Sequence, residues 1–261
     1  MTTQAPWSTS VGPPERPSAA SLWLVDGGRR ALVTVVLPLL VVAAAAWTVT
    51  ARGEGALTGA GAFLVAWLVM MVAMMLPSAA PVVALYALAA RRRVVAAIPV
   101  FVAGYLCVWA ATGLPAYTVA QAVSKPMMDG EGWVGRLAGA TLLTTAVYQL
   151  TPMKNACLRR CRSPLSFYLT RTGSLSHPVR AFTAGAQHGV YCLGCCWALM
   201  AVLVVLGGMQ LGWALALALV ISAEKLLPSR LQLTRVTAAA AAALGLSLLI
   251  TPSLLDHLVR T

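Results

Sequence analysis

Long apolar runs separated by short polar stretches dominate the chain. The runs occupy residues 31–50, 60–86, 94–119, 134–150, 181–206, 211–227 and 236–255. Most reach the roughly 17 to 25 residues that a hydrocarbon layer about 30 Å thick requires of a spanning helix. Lipid offers the backbone no hydrogen-bond partners, so segments of this kind must close their own bonds as helices. The pattern predicts an all-α fold, a polytopic membrane helix bundle of about seven transmembrane helices with its N-terminus in the cytoplasm. Residues 1–30, polar and rich in Pro and Ser, read as a disordered cytoplasmic tail. Residues 31–255 form the transmembrane domain, and residues 151–180 form a basic cytoplasmic loop within it.

Composition sharpens this picture. Apolar residues make up 59% of the chain and charged ones 10%, which excludes a soluble domain. The net charge of +12 would suit nucleic acid, so its distribution has to decide. With the N-terminus inside, all but Arg52, Lys125, Arg136 and Arg260 of the nineteen Lys and Arg fall on the cytoplasmic side, while Glu54, Asp129, Glu131 and Asp256 lean outward. That is the positive-inside bias of a bacterial inner-membrane protein. The expected partner is therefore the lipid bilayer and not nucleic acid; the oligomeric state is not legible.

Two local features follow. A helix over residues 60–90 would be about 46 Å long, overrunning the bilayer, and is expected to bend at Pro77 and Pro81. Residues 153–162 can form a short helix on the inner membrane surface, and the Gly207-Gly208 link between the fifth and sixth runs is very short.

The chemistry concentrates in QHGVYCLGCCWALM, within the fifth run. At 100° per residue, His188, Cys192, Cys195 and Cys196 fall on one helix face. Any one of these cysteines could pack as a small hydrophobe, but a histidine in a span needs a partner, and four such groups on one stripe point to a metal or redox site. In the second run, WLVMMVAMMLP carries Met70, Met71, Met74 and Met75 as two pairs four apart. Methionine alone is more often a gap-filler, yet counted along the helices both clusters lie at mid-bilayer. Thiolate and thioether donors favour Cu(I); Zn(II) on Cys and His is the second choice.

In the surface segment, Met153, Cys157 and Cys161 are spaced by four, flanked by Lys154, Arg159, Arg160 and Arg162. The cations are expected to lower the thiol pKa values. Cys107 reads as packing. Glu224 and Lys225 are expected to pair with neighbours or to snorkel to the interface, the sharper alternative being a cation or proton relay through Glu224. Gln149, His177 and His257 stand isolated.

The blocks WLVMMVAMMLP, GYLCVW, YQLTPMKNACLRRCRSPL, GVYCLGCCWALM and AEKLLP, in this order between residues 67 and 228, resemble a bacterial family of predicted metal-binding integral membrane proteins (domain of unknown function 2182). The resemblance implies metal binding, sometimes phrased as a copper chaperone role, through Met70, Met74, Met75, Cys157, Cys161, Cys192, Cys195 and Cys196.

Three functions are in contention. The first is soft-metal binding for metal trafficking or cuproprotein assembly, with hand-over to a protein partner and no enzymatic turnover. The second is a thiol-disulfide oxidoreductase using Cys192/Cys195 and Cys157/Cys161. The third is a structural or assembly subunit in which the sulfurs only pack.

Overall fold

Helix is the sole regular structure among the described residues of the computed structural model, which are 32–52, 59–89, 97–162, 177–206, 210–227, 230–253 and 255. The tail 1–30, the latter part of the basic loop, the Gly207-Gly208 link and His257 lie outside them. The elements are α1 (Leu37–Arg52, entered through a π-helical turn Leu32–Val36), α2 (Ala60–Ala89), α3 (Ala97–Met128), α4 (Gly132–Gln149), the short α5 (Pro152–Arg162), α6 (Pro178–Val205), α7 (Leu211–Leu226) and α8 (Arg230–Ile250). Among the described residues, each of the seven apolar runs falls mainly on a helix.

Five helical stretches are long and apolar enough to cross a membrane: Val33–Arg52, Ala60–Ala87, Ala97–Met128, Pro178–Val205 and Gln232–Ile250. The expected count of about seven includes α4 and α7, which at 18 and 16 residues are not among these five stretches. The outer faces are apolar: Val41, Val65, Leu114, Val147, Leu219, Val236 and Ile250 are each 60% exposed or more. A water-facing surface would not carry apolar side chains on nearly every long helix.

Local chemistry places the ends. The chain leaves α3 through Gly130, whose positive φ of 71° suits a residue without Cβ. Gly130 N–H donates to Met127 O and Glu131 N–H to Pro126 O, a Schellman closure that satisfies the last carbonyls. Pro178 opens α6 in the first turn, where a missing N–H costs nothing. α2 runs as one continuous helix through Pro77 and Pro81.

Packing is organised around α6, whose chief neighbour along its length is α3. The two backbones come unusually close: a Cβ added at Gly185 would collide with the Phe101 carbonyl, and one at Gly104 with the Phe182 carbonyl. Gly185 and Gly189 form a small-x-x-x-small stripe of the kind that lets membrane helices approach. A main core joins α1, α2, α3, α5, α6 and α7, and a second cluster around Val134, Leu142, Val202 and Leu248 joins α4 and α8 to the far end of α6. Met70, Met71, Met74, Met75, Cys161, Cys192, Cys195 and Cys196 all lie in the main core.

Candidate metal centre

The stripe expected on α6 is buried as one face: His188, Cys192, Cys195 and Cys196 are each less than 5% exposed. Cys192 is its focus. Tyr105 Oη from α3 lies 3.0 Å from Cys192 Sγ, and Lys225 Nζ from α7 donates to the same sulfur at 2.9 Å. Cys195 and Cys196 turn back along their own helix, each thiol donating to the Cys192 carbonyl at 3.0 Å. His188, one turn earlier, stacks on the Tyr105 ring at 5.6 Å, with Phe101 at 6.3 Å on the same aromatic wall. Every one of the six cysteines is a free thiol.

The surface helix α5 does not merely lie beside this cluster. Cys161 is buried in the same core as Cys192, Cys195 and Cys196, so the two cysteine blocks, 31 residues apart in the chain, share one interior. Gly194, the glycine of CLGCC, makes room: a Cβ there would stand 2.8 Å from Cys157 Sγ. Tyr148 Oη from α4 donates to the Gly194 carbonyl and pins the same turn.

Several expectations about α5 are corrected. Its inner face consists of Lys154, Cys157, Leu158 and Cys161, while Met153 is 63% exposed and takes no part. Neighbouring cations do not lower the thiol pKa values. Burial, then the nearby Cys195, pushes the Cys157 thiol up despite Arg160. Hydrogen bonds to Cys192 and Cys195, followed by burial, push Cys161 well up. The arginines look elsewhere: Arg160 lies over the Tyr191 ring at 5.2 Å, and Arg162 Nη2 donates to the Leu227 carbonyl at 2.6 Å, closing the end of α7.

Of the four methionines, Met75 is the one tied to the thiols by a polar contact. Lys225 Nζ bridges them, 4.0 Å from Met75 Sδ, 2.9 Å from Cys192 Sγ and 3.1 Å from Ser78 Oγ. Met70, Met71 and Met74 are fully buried in the surrounding core. Lys225 of α7 thus links the sulfurs of α2 and α6. Among the described residues, no group of three or more His, Cys, Asp or Glu is spaced to hold an ion as it stands.

Lys225 and Glu224 do not snorkel; they are 5% and 2% exposed. Glu224 forms a buried ion pair with Lys154 of α5 at 2.6 Å and accepts from Gln149 Nε2 of α4 at 3.1 Å. Gln149, which looked isolated, is therefore partnered. Cys107, expected to pack, is exposed. Lys225, Lys154, Tyr105 and Ser78 were not singled out as parts of a site. Three polar residues isolated in otherwise apolar segments, Gln149, Glu224 and Lys225, were the available signal, because such groups must find partners inside a bundle.

Residues 64–248, well over half of the chain, match the family PpoB2, described as a copper chaperone. The chain belongs to this family. The PpoB2 match covers α2 through nearly all of α8, so every residue of the sulfur cluster and of the Lys154–Glu224 pair lies within it. It supports copper handling for the resemblance drawn from the same blocks, without supporting that family's particular name. No curated protein and no solved structure matches the chain.

Proposed function

We propose that the chain is a membrane-embedded copper chaperone that takes Cu(I) onto buried sulfur and passes it to a protein partner. The observation that carries this reading is the burial of Cys161 from α5 in one core with Cys192, Cys195 and Cys196 from α6, where Lys225 Nζ links Cys192 Sγ to the thioether of Met75. The donor set suits a soft ion: these sulfurs lie in an apolar core, and Glu224, a carboxylate that could serve a harder one, is engaged by Lys154 and Gln149. Zn(II) ranks second, because a closed zinc site requires four ligands and Cys195 and Cys196 bond the Cys192 carbonyl instead.

Half-buried Cys157, one turn before Cys161, gives an entry step, so copper would move from Cys157 to Cys161 and Cys192. The buried methionines supply neutral sulfur without the cost of burying charge. The sequence carries no phosphate-binding glycine loop and no Asp-Lys-Thr-Gly run, so transfer would follow the partner's higher affinity and not nucleotide hydrolysis. The setting is a bacterial inner membrane, with seven spans and the N-terminus in the cytoplasm; α4 and α7 complete the bundle by packing on the five longer helices.

Anaerobic purification, elemental analysis and X-ray absorption at the bound metal test the proposal. Sulfur-coordinated copper is expected in the wild type and is lost when Cys192, Cys195 and Cys196 are all changed to Ser. Undiminished copper in that variant rejects it. A thiol-disulfide oxidoreductase is the second reading, favoured by the burial of Cys161 in the same core as Cys192. It requires a Cys161–Cys192 disulfide to form during turnover and indifference to Met75→Leu, whereas copper binding requires reduced thiols and is weakened by that change.

A further inference from the structure

A face of α6 distinct from its cysteine stripe lines a cavity of about 340 Å³, a volume within the range of small-molecule sites. The cavity arises because two helices diverge. α3 and α4 are joined by the tight turn at Gly130, yet each packs on α6 and they barely touch one another. Trp67 of α2, Trp109 and Ala116 of α3 and Met200 of α6, all buried, line the gap, and Val119 and Trp197, 40% and 39% exposed, stand at its rim. The polar groups of the wall are spent. Trp67 Nε1 and Thr112 Oγ1 both donate to the Trp109 carbonyl, at 3.1 and 2.7 Å, and Thr141 Oγ1 donates to the Leu137 carbonyl at 2.8 Å. Trp109 Nε1 is without a partner but is itself buried within the wall. An apolar space of this kind does not hold water, and left empty it deprives its lining of dispersion contacts.

Depth identifies what can fill it. Trp109 and Val119 lie about 18 and 33 Å along the 32-residue α3, so both fall inside a hydrocarbon layer about 30 Å thick centred on that helix. The rim therefore meets lipid chains, neither headgroups nor water. We propose that this cleft is the seat of one acyl chain of a bilayer lipid, which enters between α3 and α4. The seat is independent of the copper reading and depends on the membrane setting proposed above. An acyl chain needs no hydrogen-bond partner, which matches a wall that offers none, and the indole rings of Trp67 and Trp109 give it broad apolar contact. Leu193 and Trp197, which also line the cleft, flank Cys192, Cys195 and Cys196 in the chain, so the bound lipid braces the turns of α6 that carry the thiols.

The test places full-length protein in nanodiscs of a phospholipid that carries a diazirine midway along one chain, and maps the photoadducts by peptide mass spectrometry. Adducts are expected on Ala116 and Met200 inside the cleft, as well as on Val65 and Leu219, which at 66% and 70% exposed are open to any surrounding lipid. Ala201→Phe, at a half-buried lining position, fills the space and is expected to abolish the adducts on Ala116 and Met200 while sparing those on Val65 and Leu219. Should that variant not fold, Thr141→Phe at the half-buried α4 wall makes the same comparison. Unlabelled Ala116 and Met200 beside labelled Val65 and Leu219 overturn the proposal, whether the cleft is then empty or, as lipid extraction would show, holds an isoprenoid. Adducts on Ala116 and Met200 that persist undiminished in the filled variant overturn it as well. Absence of adducts at all four positions defeats the membrane setting itself, and the lipid seat with it.

Discussion

Glu224 illustrates how much a single buried group can demand. It holds Lys154 at 2.6 Å and Gln149 at 3.1 Å, tying α5 and α4 to α7 at the level of the sulfur cluster. Removing one partner of a buried pair leaves the other charge without compensation, which costs about 3–5 kcal/mol. Glu224→Ala is therefore expected to lose that much stability in detergent, measured by denaturant or thermal unfolding. The double replacement Glu224→Leu with Lys154→Met should recover most of it, because both charges leave together. Single cysteine variants separate the sulfurs. Cys192→Ser and Cys161→Ser should each weaken Cu(I) binding at least about tenfold in competition with a chromophoric chelator. Cys107→Ser, at an exposed position outside the cluster, should leave it unchanged.

Among elements, the decisive contact is α3 against α6. It positions Tyr105 beside Cys192 and stacks the same ring on His188, so any slip between these helices disturbs the sulfur that everything else meets. The close approach depends on glycine: at Gly185 an added methyl meets the Phe101 backbone, which cannot move aside as a flexible side chain could. Gly185→Ala is expected to cost about 1–3 kcal/mol by overpacking and to lower copper occupancy with it. The checks are the unfolding midpoint and the metal content of the same preparation. Helix α5 carries Cys161, one of the proposed ligands, and is held by Lys154, by Arg162 on the Leu227 carbonyl and by Arg160 on Tyr191.

For the whole molecule, the open quantity is the number of crossings. If α4 and α7 cross, residues 163–176 face the cytoplasm; if only the five longer helices cross, the same residues face outward. A cysteine at Ser166, placed in a Cys107→Ser background, is expected to resist a membrane-impermeant maleimide in intact cells and to react once the cells are opened. Labelling in intact cells would instead establish five crossings. A cysteine at Asp129 should label in intact cells under either count and serves as the control.

Much of this protein was readable in one dimension because lipid enforces a one-dimensional rule: an apolar run of sufficient length must be a helix, and helical periodicity then settles which residues share a face. On that basis the all-helical fold, the seven helical runs, the short helix α5 and the shared face of His188, Cys192, Cys195 and Cys196 followed from the sequence alone. What no periodicity encodes is which faces meet. That α5 folds inward to bury Cys161 in the core that holds Cys192, that Lys225 links the sulfurs of α2 and α6, and that Glu224 pairs with Lys154 were decided by tertiary packing. The physical reason is that burial imposes the need for a partner without naming one. Its identity depends on how closely the glycines of α3 and α6 allow their backbones to approach, and so on where α5 and α7 come to rest.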